Sequence, residues 1–377
     1  MKILIAGDFV PQHRVTDLFA EKKYAEVLSE VKPIAEQSDF SIVNLEAPVI
    51  YGKPTPITKT GPNLSCSENA VEALRWAGFN CVTLANNHFY DQGEQGVEGT
   101  LKACKKCGMS YVGAGRNLQE AKTVLYKDIE GKILAIVNCC EHEWSIASDK
   151  HGGSNPLNPI KQYYAIQNAK KRADYVLVVV HGGIEMYQYP TPRMQETYRF
   201  FIDAGADAVV NHHQHCYSGY EIYHEKPIFY GLGNFCFDKN DGENDIWNDG
   251  YMVEISFVDD ETSFNSIPYK QCTNIPTVCL CSNKDKNTFN NNIAVINNII
   301  QDERMLIDIF KKHIDSIYER RLFALEPHAN KVVNLLKKKR LLPRQIGQKS
   351  IKSMYMRVSC ESNSETLVCV LKKYFKI

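Results

Sequence analysis

The sequence has no apolar run approaching the roughly 18 to 20 residues that a membrane-crossing helix needs. Its first residues, Met1-Lys2-Ile3-Leu4-Ile5-Ala6-Gly7-Asp8, are too briefly apolar for the core of a secretory signal and read as a strand that starts at once. Disulfide spacing is missing as well. The 13 cysteines are odd in number and fit no framework, which excludes a small stapled domain and favours a reducing, cytoplasmic setting. Cys104-Lys105-Lys106-Cys107 is a C-x-x-C without a second pair, inside a helical pattern, and reads as packing. There is no P-loop and no nucleophile elbow. Gly113-Ala114-Gly115 lacks the rest of a dinucleotide fingerprint and reads as a turn.

Net charge is also absent, since 44 Lys+Arg balance 44 Asp+Glu over 377 residues. The balance is uneven along the chain. Residues 331–377 hold 12 Lys/Arg against 2 Asp/Glu, a net +10, which leaves −10 on residues 1–330. A basic tail on an acidic body predicts contact with a polyanion or an anionic membrane surface, at the inner face of the membrane for a cytoplasmic protein. A solvated helical face is the plainer alternative. Lys337-Lys338-Lys339-Arg340 has few interleaved aromatics, which argues against nucleic-acid readout.

With 44% hydrophobic and 23% charged residues, the chain is expected to fold as a large globular domain with an appendage. Buried strands are predicted at Lys2–Ala6, Phe40–Val43, Asn80–Ala85, Lys132–Val137, Asp174–Val180, Ala206–Val210 and Pro227–Tyr230, with an edge strand at Gly250–Phe257. Helical patterns cover Val15–Glu36, Glu68–Ala77, Gly93–Cys107, Pro159–Lys171 and Arg193–Ala204. Strands alternating with helices mean an α/β architecture, and near-continuous apolar strands mean a sheet covered on both faces. After about residue 275 the character changes. Asn283–Asn292 is polar, and helices follow at Ile293–Leu325 and Ala329–Leu342, the second closed by Pro343. The expected division is therefore 1–275 and a helical, basic extension at 276–377.

Ligand sites in open α/β sheets form beyond the carboxyl ends of strands. Here those ends repeatedly carry polar groups: Asp8, Asn44, Glu46, Asn87, His88, His181, His213, His215 and Asn234. A lone strand-end Asp is usually a helix cap, and a lone His usually a bonded loop residue. Five of the 11 histidines, with His212 among them, fall at these ends, and that coincidence favours a metal. Carboxylate, imidazole and amide together suit Mn²⁺, Fe²⁺ or Zn²⁺, one ion or two, and the lack of thiolates argues against a structural zinc site. His213 and His215 can aim at one region if the segment turns, and His212 then points away.

The segments Gly7-Asp8, Asn44-Leu45-Glu46, Asn86-Asn87-His88, His181-Gly182-Gly183-Ile184-Glu185, Pro192 with Gln195, His212-His213-Gln214-His215 and Gly231-Leu232-Gly233-Asn234-Phe235 resemble, in order, the CapA/PgsA family of capsule and poly-γ-glutamate biosynthesis proteins. That family is similar to the calcineurin-like metallophosphoesterases, which implies a layered β core flanked by helices. The resemblance implies that Asp8 and His215 bind a first metal, that Asn87, His181 and His213 bind a second, and that Glu46 bridges. It makes His88 the catalytic acid or anion stabiliser, and it assigns Asn44, Glu185 and Asn234 to outer or substrate-side positions. Where the broader superfamily has a His two residues after its first Asp, this chain has Val10; His13 lies nearby in sequence. Lys59 and Arg193 are candidate anion clamps, although such residues more often lie on ordinary surface. The implied activity is metal-dependent hydrolysis of a phosphoester or amide-type bond, on an anionic polymer or phosphorylated substrate. A non-catalytic accessory protein that binds polymer or synthase on the same scaffold is the alternative.

Overall fold

The structure, a computed structural model, describes residues 1–239, 245–259, 261–324, 331–339, 341–342, 347–359, 367–368 and 371. Two compact units make up the chain, Met1–Leu306 and Ile307–Ile377.

The first unit is built on two sheets. One contains β1 (Lys2–Val10), β2 (Phe40–Leu45), β3 (Cys81–Thr83), β4 (Ser110–Val112), β13 (Asn234–Phe237), β14 (Asp249–Val258), β15 (Glu261–Gln271) and β16 (Val278–Leu280). Their order is β16-β15-β14-β1-β2-β3-β4, and β13 pairs with the end of β1. The other sheet contains β6 (Leu125–Ile129), β7 (Lys132–Cys140), β9 (Tyr175–His181), β10 (Ala208–His212), β11 (Tyr220–Tyr223) and β12 (Lys226–Phe229), in the order β11-β12-β10-β9-β7-β6. A short ribbon joins β5 (Ala114–Gly115) to β8 (Gly153–Ser154).

Side chains alternate across each strand, so one strand serves two cores. Ile3, Ile5 and Ile42 share a buried cluster with Ile136, Val178 and Val209 of the second sheet. Leu4, Ala6 and Val43 face the other way. There they meet Phe19 of α1 (Arg14–Ala20), Val27 of α2 (Tyr24–Leu28), Ala35 of α3 (Lys32–Gln37), Leu74 of α4 (Asn69–Trp76) and Val97 of α5 (Gly93–Lys106). The short α6 (Leu118–Ala121) follows β5. Ile166 of α7 (Pro159–Lys170), Phe201 of α8 (Pro192–Asp203) and Ile296 of α9 (Asn283–Gln301) join the first cluster. The result is the layered β core flanked by helices that the sequence predicts.

Close approach of β13 to β1 demands a glycine. A Cβ on Gly7 would lie 1.9 Å from the Gly233 carbonyl oxygen. That oxygen accepts the Asp8 N–H at 3.2 Å, and Asp8 comes into register with both Asn44 and Asn234.

Several local expectations differ from the structure. Val15–Glu36 forms three short helices, because Lys22 adopts φ 58° and turns the chain after the first. Gly250–Phe257 is not an edge: β14 lies between β1 and β15. Residues 261–271 are too polar to read as a strand, yet they pair with β14 along its full length. Asn283–Asn292 is helical from its first residue, because the Ser282 hydroxyl accepts the Asp285 N–H at 3.3 Å and caps the start. β16 extends the sheet, and Phe289, Ile293, Ile296 and Ile300 are buried. The compact unit thus continues past 275 to Leu306.

The second unit contains most of α10 (Glu303–Ala324), with α11 (Lys331–Lys338) and α12 (Gln348–Ser359). The Pro343 stop, Ala329 and Arg340 lie outside the described residues.

Candidate metal centre

Five strands of the core, β1, β2, β3, β9 and β10, bring residues at or just beyond their ends to one region. Asp8 comes from β1, Asn44 and Glu46 from the end of β2, and Asn87 and His88 from the turn after β3. His181 ends β9, and His213 and His215 follow β10. The turn that brings both rings back is made by the backbone. His213 has φ 95° and His215 φ 55°, left-handed values uncommon for side chains of this size. All of these residues are buried.

Two three-residue clusters result, Asp8–Glu46–His215 and Glu46–His181–His213, and in each the ligand-type atoms lie within 4.8 Å of one another. Glu46 belongs to both. Around His181 Nε2 the approach is tightest: Asn87 Oδ1 at 2.9 Å, His213 Nδ1 at 3.1 Å and Glu46 Oε1 at 3.4 Å. Four atoms that can each offer a lone pair face one point. Glu46 itself is 0% exposed, and among the described residues neither of its oxygens has a hydrogen-bond partner. A buried carboxylate in that condition costs several kcal/mol unless a cation meets it. The donor set and the orphaned carboxylate fit divalent ions.

The electrostatics agree. Burial first, then the Asp8 carboxylate, pushes Glu46 well above the usual carboxylate range. Burial raises Asp8 to about 7, against the pull of bonds from Asn44 Nδ2 (2.7 Å) and the His213 N–H (3.1 Å). Burial lowers the imidazoles, His213 to about 3 and His215 to about 4, and takes His181 well below its usual value. Burial thus favours neutral imidazoles, ready to ligate, and makes each carboxylate keep its proton to a higher pH than usual.

The direction of the pH effect follows. An acid whose folded pKa is raised contributes stability below its unfolded value of 3.8, and that contribution is lost as pH rises through about 7. Chelated protein is thus expected to lose melting temperature as pH rises from about 5 to about 8, and divalent metal to reverse the trend. Calorimetry in buffers of different ionisation enthalpy checks this. Proton release on metal binding should be larger at about pH 6 than at about pH 8.5, as Asp8 loses its proton through about 7.

Outer contacts hold the ligands. Asn44 lies between Asp8 and His181, with its Nδ2 3.3 Å from His181 Nδ1. Asn234 Oδ1 lies 2.9 Å from His215 Nδ1. His212 is buried 3.8 Å from Asp8 Oδ1, and among the described residues neither ring nitrogen has a hydrogen-bond partner. Val10 packs fully buried among apolar residues. Glu185 is exposed and, among the described residues, makes no ion pair with the cluster, although its charge adds to the burden on Glu46. Gln195, one of the motif residues, lies elsewhere, donating from Nε2 to the Ile300 carbonyl at 2.7 Å.

Asp91 and Glu143 escape a reading of the sequence, whereas Lys59 and Arg193, the two candidate clamps, part company in the structure. Asp91 binds His88 Nδ1 at 2.6 Å and forms a buried ion pair with Lys59, whose side chain is 3% exposed. Lys59 Nζ also lies 3.2 Å from His88 Nδ1. Lys59 is therefore part of the site's wall rather than ordinary surface, delivered by the Pro- and Thr-rich loop before α4. Arg193 is exposed and pairs with Glu141. Glu143 meets Asn87 and His213. The spacing His88-x-x-Asp91 was the available signal for Asp91; nothing local marks Lys59.

Residues 2–239 match the profile of the family described as "Bacterial capsule synthesis protein PGA_cap". The chain belongs to that family. Every residue of the cluster falls within the PGA_cap span, which ends before β14. Capsule biosynthesis protein CapA of Bacillus anthracis is 34% identical over 247 residues, covering 63% of this chain and 60% of that protein. PGA biosynthesis protein CapA of Bacillus subtilis (strain 168) is 33% identical over 236 residues, covering 62% of each. The chain thus spans about six-tenths of these relatives. A hypothetical protein from Thermus thermophilus, known from a crystal structure, aligns with a TM-score of 0.46 and 16% identity, over 72% of this chain and 99% of that one.

Proposed function

We propose that this PGA_cap protein is a metal-dependent hydrolase of phosphoester or amide-type bonds, acting in the assembly of a capsule or related surface polymer. The observation that carries the reading is Glu46, a fully buried carboxylate with no donor among the described residues, shared by two ligand clusters. Asp8, Glu46 and His215 would hold one ion, and Glu46, Asn87, His181 and His213 a second, with Mn²⁺, Fe²⁺ or Zn²⁺ suited to these donors. Ions held there would lower the pKa of a bound water and neutralise charge on a phosphoryl or acyl oxygen. Asp91 engages His88 through Nδ1, which leaves Nε2 to give a proton to the leaving group or brace an oxyanion. The capsule context comes from the relatives' names, and the substrate would be an anionic polymer or a phosphorylated compound.

The test is purification without chelator, metal analysis by mass spectrometry, and a screen of phosphoesters and γ-glutamyl amides. Bound metal with turnover that His88→Ala removes is expected. No metal above background and no such turnover sinks the reading. Val10 favours a second reading, an accessory protein that binds polymer or synthase and keeps the scaffold; metal without turnover on any substrate would support it.

No described helix is long and apolar enough to cross a membrane. A peripheral role at the inner membrane face is proposed from the +10 tail and from exposed Val332 and Leu335 on α11. Clustered Lys/Arg contribute about 1 kcal/mol each near anionic lipid. Flotation with anionic vesicles at low salt should carry the full chain, and deletion of 331–377 should abolish it. Equal flotation after that deletion, or with neutral lipid, rejects the membrane role.

A further inference from the structure

We propose that Glu143 is the positioning carboxylate of the Glu46–Asn87–His181–His213 cluster and makes it the tighter of two unequal metal sites, an inference that rests on the metal centre proposed above. Glu143 follows β7 and touches two ligand residues from behind. Its Oε2 lies 3.4 Å from Asn87 Nδ2, and its Oε1 3.6 Å from His213 Nε2. Those are the far atoms of both groups. Their near atoms, Asn87 Oδ1 and His213 Nδ1, converge on His181 Nε2.

One carboxylate thus backs two ligands at once. An imidazole whose far N–H faces a carboxylate is fixed in tautomer and becomes more basic at its ligating nitrogen. An amide whose Nδ2 is turned to a carboxylate is left with Oδ1 towards the ion. Both contacts are longer than a settled hydrogen bond, and the Glu143 side chain, 39% exposed, has room to shorten them.

The Asp8–Glu46–His215 cluster is built differently. The group behind His215 is the neutral amide of Asn234, at 2.9 Å. Both Asp8 oxygens already accept hydrogen bonds, from Asn44 and from the His213 N–H. The cluster offers three ligand residues against four, and Val10, buried in the core, adds none.

The experiment is calorimetric titration of the metal-free full chain with Mn²⁺, alongside Glu143→Gln, His181→Ala and His215→Ala. The wild type should show a tight and a weak step. Glu143→Gln should weaken the tight step about 10- to 100-fold, without moving the weak step or the melting temperature of the metal-free protein. His181→Ala should remove the tight step and His215→Ala the weak one. A tight step moved less than about threefold by Glu143→Gln, below the smallest outer-shell effect expected, overturns the inference. So does a tight step lost in His215→Ala, or a fall in affinity matched by a fall in metal-free stability. Two equal wild-type steps overturn it while leaving the metal centre standing, whereas no Mn²⁺ binding removes the metal centre itself.

Discussion

Glu46→Gln is expected to abolish metal binding at both clusters and, at the same time, to raise the melting temperature of the metal-free protein at about pH 8. The two effects have one origin. Among the described residues Glu46 is the one common to both clusters, and it is wholly buried without a donor. With ions present its charge is the link between them. Without ions that charge is a burden at any pH that ionises the group, and a neutral amide of the same shape does not carry it. Metal at about 100 times its dissociation constant stabilises a wild-type site by about 2.7 kcal/mol, and the variant should show almost none of this. Turnover on any substrate found should fall by roughly 10²- to 10³-fold. Differential scanning calorimetry with and without Mn²⁺ reads both signs. A metal-free variant less stable than the metal-free parent would mean that Glu46 has a partner the structure does not show.

His88→Ala should lower kcat by about 10²- to 10⁴-fold, the usual contribution of a positioned acid or base. Metal content and KM should stay near wild type. The separation is expected because His88 is held from outside the ligand clusters, by Asp91 at 2.6 Å and by Lys59 at 3.2 Å. Steady-state kinetics with metal analysis on the same preparation checks it. A His88→Ala protein that loses metal in proportion to activity would reassign His88 to the ligand set.

The layout of the core was legible because each apolar run stops at a polar residue. Asp8, Asn44, Asn87, His181 and His213 announce strand ends by composition alone, and the metal proposed here would explain why they recur. What stayed hidden depended on partners distant in sequence. β15 is polar because β16 covers only Tyr269–Gln271 and leaves the rest of it an exposed edge, so its pairing with β14, not its pattern, makes it a strand. Lys59 looks like a loop cation until Asp91 is brought against it. Glu143 reads as one of several acidic loop residues, and only the fold sets it behind both Asn87 and His213. Helix breaks such as that at Lys22 rest on backbone angles that no hydrophobic period encodes.

The position of β14 bears on how this protein can be dissected. The family span stops at residue 239, and a chain trimmed there would keep every ligand residue. It would also strip β14 from the side of β1 that β2 does not cover, leaving the backbone of Lys2–Ile5 with unpaired N–H and C=O groups in a largely apolar strand. Such an edge recruits other chains. The minimal soluble unit is therefore set by the sheet rather than by the ligands, and it extends through α9, whose buried Phe289 and Ile293 close the core.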